Sequence, residues 1–474
     1  MAETLGSLVD KITIIELKIY HMREQAERTD RGPDFRAQCD SKLEVMREQR
    51  DDLAAELTAL VGDIAAGRVV PKVYRQFKMY NDPQYRSGGA VGANPRGDAC
   101  VAPAPVAAVP AVTAVPLTVV HVDPERGWRG GQRQTLWLAA ELARRGHRSI
   151  VAARPGEPLH ERARAAGLEV VGAAPFGELD LLAALRLRRV IRRERADIVH
   201  AHSGHSVALA ALATLGTRAR VVVTRRVDFR LRNNPGTRWK YGRAACVVAI
   251  SRAVADVLRA SGLRRPAAVI PDGIDLGRRV TPAAPETLES LGVPRGAPLA
   301  VMIAALVGHK DPLNFVAAVD AARRRVPALH ALLVGDGYLR PQVESAVAER
   351  GLAGVLHVAG YRTDADELLA AASVATLSSR EEGMGSVLLD ALAFGVPVAA
   401  TRAGGIPDVI VDGASGLLVP PRDGDALGGA IARILLDPAL AARLAAAGRA
   451  RVRRFSVERM ARRYEVIYRR VLAR

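Results

Sequence analysis

Residues 380–410 read REEGMGSVLLDALAFGVPVAATRAGGIPDVI. An acid, Glu382, lies in a glycine-rich loop that leads into an apolar run with the spacing of a helix. This helix carries a second acid, Asp390, about two turns after Glu382, and it should end at Gly395 before the strand-like VPVAAT. Free backbone N–H groups at a helix N-terminus favour a phosphate, and nearby carboxylates suit sugar or ribose hydroxyls. The segment therefore predicts a site for an anionic ligand that also carries hydroxyls.

Short apolar runs on both sides of this segment alternate with stretches of helical spacing. The first half contains LTVVHV, RSIVAA, LEVVGA, DIVHAHS, RVVVT and CVVAIS, and the second half contains APLAVMIAAL, ALHALLVGDG, GVLHVAG, SVATLSS, GVPVAAT and SGLLVP. Alternation of strands and helices at this spacing is typical of a parallel sheet with helices on both faces. The sequence therefore predicts an α/β chain.

The pair Glu382 and Asp390, followed in register by GVPV and GGIPDVI, resembles the donor-site signature of family 4 glycosyltransferases. The resemblance extends from residue 117 to the end of the chain and implies the GT-B fold, two Rossmann-like domains that face a cleft. It also implies a retaining, metal-independent enzyme that moves a sugar from a nucleotide diphosphate sugar to an acceptor hydroxyl. The family usually has Glu where this chain has Asp390, whose side chain is one methylene shorter. An isolated acid near a helix start is more often only a favourable partner of the helix dipole.

The resemblance gives several residues roles at the donor. Lys310 would neutralise the diphosphate, since it precedes a helix whose predicted N-cap and first position are Asp311 and Pro312. Glu382 would hold the transferred sugar, and Asp390 would accept hydrogen bonds from the ribose hydroxyls. The remaining predicted donor-binding residues are Gly130, Gly131, Gly335, Gly337, Gly383, Met384 and Gly385.

One family contact is missing from the sequence. The family usually carries an arginine several positions before this lysine, where the present chain has Ala304-Ala305-Leu306. Lys310 would therefore supply more of the charge neutralisation, and no cofactor other than the nucleotide sugar is expected.

Histidines follow one strand of the first half, in DIVHAHSGHS. His200, His202 and His205 have the residue type for a metal site, but no acid or cysteine lies beside them in sequence. The resemblance favours another role, because a strand that ends in His commonly borders the acceptor cleft in this family. We therefore expect His202 in the cleft as a catalytic residue, and we expect no metal.

The next strand leads into a strongly basic loop. Between residues 218 and 243 the chain has nine Lys or Arg and one acid, Asp228. Arg225 and Arg226 stand where many family members carry a histidine close to the reacting sugar. A functional interpretation is a cationic acceptor side that attracts a phosphorylated or carboxylated acceptor, or an anionic membrane surface. A solvated basic loop explains the composition equally well.

The beginning of the chain differs from the rest. Residues 1–85 contain two heptad-like series of apolar residues around a turn at Gly32, which predicts a helical hairpin and interaction module. Two helices bury little surface, so the hairpin should pack either on another partner or on a second copy of itself, and self-association is the second of these alternatives. The opening resembles a small uncharacterised bacterial family. Residues 86–116 are rich in Pro, Ala and Gly and predict a linker. The domains that follow should span residues 117–280 on the acceptor side and 281–455 on the donor side. A last helix at 456–474, with Ser456 as its predicted cap, should cross back.

Composition limits the partners and the compartment. A formal net charge of +18 favours anionic partners, although arginines spread over helix faces would give the same value. Aromatic residues are only 4% and no nucleic-acid-binding motif occurs, so we expect no nucleic acid partner. The N-terminus has early acids and no apolar core of a signal peptide, and the three cysteines form no pair.

These features predict a cytoplasmic protein, peripheral at the inner membrane face if the acceptor is a lipid-linked glycan. Cell-envelope polysaccharide or lipopolysaccharide-type glycan synthesis fits this location. Two alternatives remain open at this point, a sugar-nucleotide epimerase with the same fold and a non-catalytic nucleotide-sugar-binding protein.

Overall fold

The computed structural model describes residues 33–65, 115–175, 180–231, 233–263 and 268–473, with seven single positions between 15 and 26. The chain forms two compact units, residues 1–98 and 99–474. Most of the predicted linker and the first heptad positions lie outside the described residues. The boundaries predicted at residues 85, 116, 280 and 455 stay predictions.

The first unit is helical where it is described. Helix α1 spans Pro33–Ala65, and the described positions between 15 and 26 are also helical. Ile19, Ala26, Cys39 and Leu43 form a small buried cluster. Glu16 and Arg50 form an ion pair of 3.3 Å, so the start of the earlier segment lies beside the middle of α1. These contacts agree with the predicted helical hairpin, and its self-association stays a prediction.

The second unit begins with a seven-stranded parallel sheet of order β3-β2-β1-β4-β5-β6-β7. Its strands are apolar and mostly buried, as expected for parallel strands covered on both faces. They are β1 (Thr118–Asp123), β2 (Arg148–Ala153), β3 (Glu169–Gly172), β4 (Ile198–Ala201), β5 (Arg220–Arg225), β6 (Ala244–Ala249) and β7 (Ala268–Val269).

Six helices connect these strands and complete the first Rossmann-like domain. They are α2 (Gly130–Arg144), α3 (Pro158–Ala165), α4 (Leu181–Arg193), α5 (Gly204–Ala213), α6 (Pro235–Gly242) and α7 (Arg252–Ala260). Ser203, Asn234 and Ser251 accept hydrogen bonds from the first turns of α5, α6 and α7, which explains where these helices begin.

The second domain has a six-stranded parallel sheet of order β10-β9-β8-β11-β12-β13. The strands are β8 (Leu299–Ile303), β9 (His330–Val334), β10 (Leu356–Gly360), β11 (Val374–Leu377), β12 (Val398–Thr401) and β13 (Leu417–Val419). The helices are α8 (Pro285–Ser290), α9 (Pro312–Arg323), α10 (Arg340–Glu349), α11 (Ala365–Ala370), α12 (Ser386–Phe394), α13 (Ile406–Val409), α14 (Gly424–Leu436) and α15 (Pro438–Val452), with 3₁₀ turns at Gly308–Lys310 and Arg453–Phe455. The predicted α/β alternation is confirmed in both halves.

The last helix, α16 (Val457–Leu472), packs on the first domain. Ser456 accepts a hydrogen bond from the backbone N–H of Arg459, so it caps the helix as the sequence predicts. The buried face of α16, including Met460, Tyr464 and Tyr468, joins a core cluster with residues of α2, β1 and β5. The helix thereby places two phenol groups beneath the carboxyl ends of the first sheet.

Within the described part of the chain, none of the helices combines the length and the apolar character that a membrane crossing requires.

Candidate active site

Two helix N-termini meet where the domains join. Gly130 begins α2 in the first domain, and a Cβ atom on it would lie 2.8 Å from Oγ of Ser386, which begins α12 in the second domain. The N-cap of α12 is Gly385, with a φ of 77° and no side chain to cap the helix. Backbone N–H groups of α12 are therefore left for a ligand, and such groups favour phosphate oxygens.

Glu382 and Lys310 form a pair beside this helix start. Nζ of Lys310 lies 2.5 Å from Oε2 of Glu382, and the same oxygen accepts a hydrogen bond of 3.1 Å from Oγ of Ser379. The Glu382 side chain is 9% exposed and that of Lys310 is 22% exposed. The structure thus brings together two residues that are 72 positions apart in sequence and that the sequence assigned to one donor site.

Lys310 ends a 3₁₀ turn that precedes α9, and Asp311 and Pro312 occupy the N-cap and the first position of the helix, as predicted. Asp311 occupies the N-cap position with a φ of 49°, and its side chain makes no capping hydrogen bond to α9. Its carboxylate lies instead 3.6 Å from the guanidinium of Arg380. Left-handed backbone at a non-glycine residue is uncommon. Here the positive φ of Asp311 turns the chain between the 3₁₀ turn that ends at Lys310 and the start of α9.

The glycines around Glu382 permit close backbone packing. A Cβ atom on Gly383 would overlap the carbonyl oxygen of Arg226, and one on Gly404 would overlap the carbonyl oxygen of Glu382. The backbone N–H of Gly405 donates to that carbonyl oxygen of Glu382 at 2.8 Å. We call residues 382–385 the donor loop. It lies between the 404–405 turn and the first domain, and a side chain at Gly383 or Gly404 would displace it.

Gly335 and Gly337 lie on a neighbouring loop of the second domain. A Cβ atom on either would overlap a carbonyl oxygen, of Ala304 or of Leu306 respectively. The hydroxyl of Tyr338 accepts a 2.8 Å hydrogen bond from the backbone N–H of Gly308, which begins the turn carrying Lys310. These predicted glycines therefore support the turn that carries Lys310, and their contact with the donor stays a prediction.

Asp390 is buried and paired with two arginines. Its side chain is 2% exposed and forms ion pairs with Arg133 of α2 at 2.5 Å and with Arg278 at 3.0 Å. Arg278 also pairs with Asp366 at 2.6 Å. Both oxygens of Asp390 are thus engaged, and its guanidinium partners connect the first domain to α12. Each carboxylate oxygen can still accept a second hydrogen bond, so the ribose contact of Asp390 stays a prediction.

The two predicted acceptor-side arginines point in different directions. Arg225 is hydrogen bonded to carbonyl oxygens of Val227 and Phe229 in its own loop. The Arg226 side chain is 11% exposed, and its Nε donates to Oδ1 of Asp272 at 3.2 Å. Its backbone touches Gly383, and its side chain lies beside Gly131. Arg226 therefore lies at the junction of the domains, next to the donor loop.

His202 contacts Arg226 directly. Nη1 of Arg226 donates to the carbonyl oxygen of His202 at 3.1 Å and approaches its Nδ1 at 3.3 Å. Because a guanidinium only donates, Nδ1 of His202 is the acceptor and Nε2 carries the proton. That Nε2 lies 3.0 Å from Nδ1 of His121, so His202 donates to His121.

His200 belongs to the same buried group. Its Nδ1 lies 2.7 Å from the hydroxyl of Tyr468, and its Nε2 lies 2.7 Å from Oγ1 of Thr224. Thr224 in turn contacts the hydroxyl of Tyr464 at 2.8 Å. A polar network therefore runs from α16 through the first sheet. The ring of His202, tilted against that of His200 with centroids 3.9 Å apart, continues the contacts to Arg226.

Burial keeps these imidazoles neutral. Burial, together with nearby Arg226, lowers the pKa of His121 to about 3. Burial also lowers the pKa values of His200 and His202 well below the ordinary value. The neutral forms are the ones that both accept and donate hydrogen bonds in the network.

Three histidines here have the spacing of metal ligands, although not the three that the sequence indicated. Ligand atoms of His121, His200 and His202 lie within 4.8 Å of one another. His205 lies apart at the surface, 2.8 Å from Glu125. Both nitrogens of His200 are already hydrogen bonded, and a guanidinium faces His202. This arrangement favours a hydrogen-bond network over a cation site.

Several residues of the site were not found by sequence reasoning. Asp272 lies within the segment VIPDGID, residues 269–275, whose Pro and Gly indicate a turn that could have drawn attention to it. Its backbone N–H donates to the sulfur of Met384 at 3.3 Å. Arg133 and Ser379 carried no distinguishing signal, because an arginine on a helix and a serine after a strand are common. The partner of Arg133, Asp390, is 257 positions away in sequence, whereas the partner of Ser379, Glu382, lies only three positions after it.

Models of known protein families match three parts of the chain. The model of glycosyl transferases group 1 matches residues 284–451, and that of glycosyltransferase family 4 matches residues 128–278. A family described only as a protein of unknown function, DUF4254, matches residues 1–73. The three matches correspond to the donor-side, acceptor-side and N-terminal parts of the chain.

Individual relatives span most of the two α/β domains. A GDP-mannose-dependent alpha-(1-6)-phosphatidylinositol monomannoside mannosyltransferase of Mycobacterium tuberculosis is 30% identical over 368 residues, 70% of this chain and 92% of the relative. The lipopolysaccharide core biosynthesis glycosyltransferase LpsE of Rhizobium meliloti is 28% identical over 323 residues, 67% of this chain and 89% of the relative.

Solved structures share the architecture. Anabaena HepE, solved in complex with UDP, superposes with a TM-score of 0.64 at 20% identity and covers 75% of this chain and 100% of its own. With two facing Rossmann-like domains and these relatives, the protein is a glycosyltransferase of the GT-B fold. It belongs to glycosyltransferase family 4, as the resemblance in residues 380–410 implied.

Proposed function

We propose that this enzyme transfers a sugar from a nucleotide diphosphate sugar to an acceptor hydroxyl, with retention of configuration and without a metal. The observation that carries the proposal is the 2.5 Å pair of Lys310 and Glu382, half-buried beside the uncapped start of α12. This pair offers a cation for a diphosphate and a carboxylate for sugar hydroxyls within one small site.

In the proposed reaction the bond between the sugar C1 and the diphosphate oxygen breaks while the acceptor oxygen bonds to C1. Negative charge accumulates on the departing diphosphate. Lys310 and the N–H groups that begin α12 would stabilise this charge, which is the electrostatic contribution that usually dominates such catalysis. Because these donors are fixed by the fold, little reorganisation is needed when the charge develops.

The acceptor proton needs a destination. His202 and His121 are neutral and hydrogen bonded away from solvent, which makes them poor receivers of a proton. The departing phosphate oxygen would receive it on the same face of the sugar, and that accounts for retention. His202 would then act on catalysis by positioning Arg226, rather than as the general base.

The acceptor is proposed from the relatives. LpsE is described as acting in lipopolysaccharide core biosynthesis, and the M. tuberculosis relative as acting on a phosphatidylinositol mannoside. We therefore propose a cell-envelope glycan or a lipid-linked sugar as the acceptor, with the enzyme on the cytoplasmic side. Charge on the basic loop between residues 218 and 243 supports an acceptor that carries phosphate or carboxylate.

The test is a transfer assay with UDP-, GDP- and ADP-sugars and deacylated envelope glycans, in the presence of a chelator. We expect one donor to release its nucleotide diphosphate only when an acceptor is present, and NMR of the product to show the anomeric configuration of the donor. Inversion, or activity only after metal addition, would refute the mechanism. A converted free nucleotide sugar without acceptor would instead identify an epimerase.

A further inference from the structure

Arginines gather where the chain crosses back from the second domain to the first. Arg453 and Arg454 belong to the 3₁₀ turn that follows α15, and Arg459, Arg462 and Arg463 lie on the first two turns of α16. All five side chains are exposed. We call these five residues the crossover arginines.

Helical spacing brings three of the crossover arginines together. Arg459, Arg462 and Arg463 are three and four positions apart, so their side chains leave α16 on one side. They line a cavity of about 310 Å³. A cavity of this size can hold a small molecule, although it is at the lower end of the usual range.

A smaller recess adjoins this cavity at the crossover itself. It shares Arg459 and Arg463 with the cavity, and Arg454 lines it from the other side of the crossover. Its floor includes Phe455 and Met460, both of which are buried. The guanidinium groups therefore surround a common depression with an apolar base, rather than spreading over a convex surface.

The positive charges around this depression lack counter-charges. Within the described part of the chain, the crossover arginines form no ion pair, although Glu458 is next to Arg459 in sequence. Glu465, further along α16, is already paired with two residues of the first domain. Burial lowers the pKa of Arg451, and the positive charge of nearby Arg454 lowers it further. Like charges four positions apart on a helix destabilise it, so a bound anion would relieve repulsion here.

The depression lies where the two connections between the domains meet. The backbone N–H of Ile274, on the first connection, donates to the carbonyl oxygen of Phe455 at 2.8 Å, and that of Val457 donates to the carbonyl oxygen of Ile274 at 3.0 Å. The backbones pack closely there, because a Cβ atom on Gly273 would lie 3.0 Å from Cα of Val457. An anion held by Arg454 and by α16 would therefore bridge the end of the second domain and the last helix.

We propose that the crossover arginines form a second anion site, which binds a small ligand with two or three phosphate groups. Each guanidinium presents N–H donors in a planar fork that binds phosphate oxygens in pairs. Arginines on both sides of the crossover suit a ligand with several anionic groups better than a single phosphate. The concave shape favours a small ligand over a lipid surface or a nucleic acid duplex.

Binding at this site should favour the arrangement of the domains that the structure shows. Gly130 of the first domain lies against Ser386 of the second while the crossover arginines are close together. An anion that neutralises these arginines stabilises this arrangement over one in which the crossover opens. The donor site uses groups of both domains, so the anion and the donor nucleotide should raise each other's affinity. This consequence rests on the proposed nucleotide-sugar donor.

The experiment is calorimetric titration of the full chain with inorganic triphosphate, in the Lys310→Met background so that the donor site contributes little. We expect one strong site per chain. Arg459→Gln with Arg463→Gln should weaken its binding at least about tenfold, because each contact between guanidinium and phosphate is charge-assisted. The matched control, Arg433→Gln with Arg443→Gln, removes two exposed arginines from α14 and α15. It should leave the affinity within about twofold.

Coupling to the donor site is measured with Lys310 in place. The ratio of nucleotide affinities with and without triphosphate should be at least about fivefold higher in the wild type than in Arg459→Gln with Arg463→Gln. Competition of triphosphate at the donor site is common to both proteins, so it does not affect this comparison. Equal ratios would overturn the coupling.

The other outcomes separate the site from its rivals. No triphosphate binding, or equal losses in the crossover and control variants, would overturn the site and leave only the general attraction of a basic chain. Tighter binding to anionic vesicles or to duplex DNA, lost in the same crossover variant, would replace the small ligand with that partner. If triphosphate binds and no nucleotide does, the proposed donor falls and the anion site stands.

Discussion

Replacing Arg226 with methionine should destabilise the first domain by several kcal/mol. Arg226 and Asp272 form a pair whose side chains are 11% and 7% exposed, with a contact of 3.2 Å. Removal of one partner of such a pair leaves a buried charge without compensation, which costs about 3–5 kcal/mol. The variant also removes the guanidinium that donates hydrogen bonds to His202, so the histidine network loses its contact with Arg226.

The loss should depend on pH because Asp272 can bind a proton. Burial raises the pKa of Asp272, and the guanidinium of Arg226 opposes this rise. Without Arg226 the folded state therefore binds a proton more readily than the unfolded state does. Stability then falls as the pH rises through the raised pKa, and the variant should be more destabilised at about pH 8 than at about pH 5.

Guanidinium denaturation followed by tryptophan fluorescence measures this effect in the correct domain, because Trp128, Trp137 and Trp239 all lie in the first Rossmann-like domain. Arg225→Met is the matched control, since that arginine binds only backbone oxygens in its loop. Adding Asp272→Asn to Arg226→Met should recover most of the lost stability. A single variant within about 0.5 kcal/mol of wild type, or a double variant as unstable as the single, would refute the assigned pair.

Three further predictions concern the same site. Acidification below about pH 6.5 should destabilise the first domain by up to about 1.4 kcal/mol per pH unit for each of the buried histidines His121, His200 and His202. Their pKa values are lowered in the folded state, so the unfolded chain takes up more protons. His121→Asn should reduce the slope of unfolding free energy against pH in denaturation curves, and an unchanged slope would contradict the prediction. Gly383→Ala should lower kcat/KM at least about tenfold, because its Cβ overlaps the Arg226 carbonyl, whereas Gly204→Ala, with open space, should not. Asp390→Asn should lower stability by about 2–4 kcal/mol in the same assay, because two guanidiniums lose their shared carboxylate; a change under about 0.5 kcal/mol would show that the pairs are not formed in solution.

Local sequence patterns were sufficient to predict the elements of the fold. Apolar runs of four to six residues followed by helical spacing specify parallel strands and crossovers, because only buried strands tolerate continuous apolar runs. Ser456 was recognised as the cap of α16 for the same local reason. Asp311 was likewise predicted as the N-cap of α9, but its left-handed φ and its ion pair with Arg380, 69 positions away, were not.

The site was only partly predictable because its contacts join distant parts of the chain. Glu382 and Lys310 were found through one motif and one helix start, and each was assigned to the donor separately. Asp390 pairs with Arg133 of the other domain, and Arg226 pairs with Asp272, which follows the last strand of the first sheet. No local sequence pattern identifies either pair. The buried histidine group is a further case. Pairing of β1 with β4 brings His121 to His200 and His202, whereas the sequence had grouped those two with the neighbouring His205.

The most direct test of the account is calorimetric titration with UDP, GDP and ADP in the presence of a chelator, comparing wild type, Lys310→Met and Lys240→Met. The lysine variants remove the same charge, one from the donor pair and one from α6. One charge-assisted contact is worth about 1.5–3 kcal/mol, so Lys310→Met should weaken binding of the preferred nucleotide about 10- to 150-fold and Lys240→Met should not. Equal affinity in all three proteins, or no binding of any nucleotide by the wild type, would contradict the assignment of the donor site.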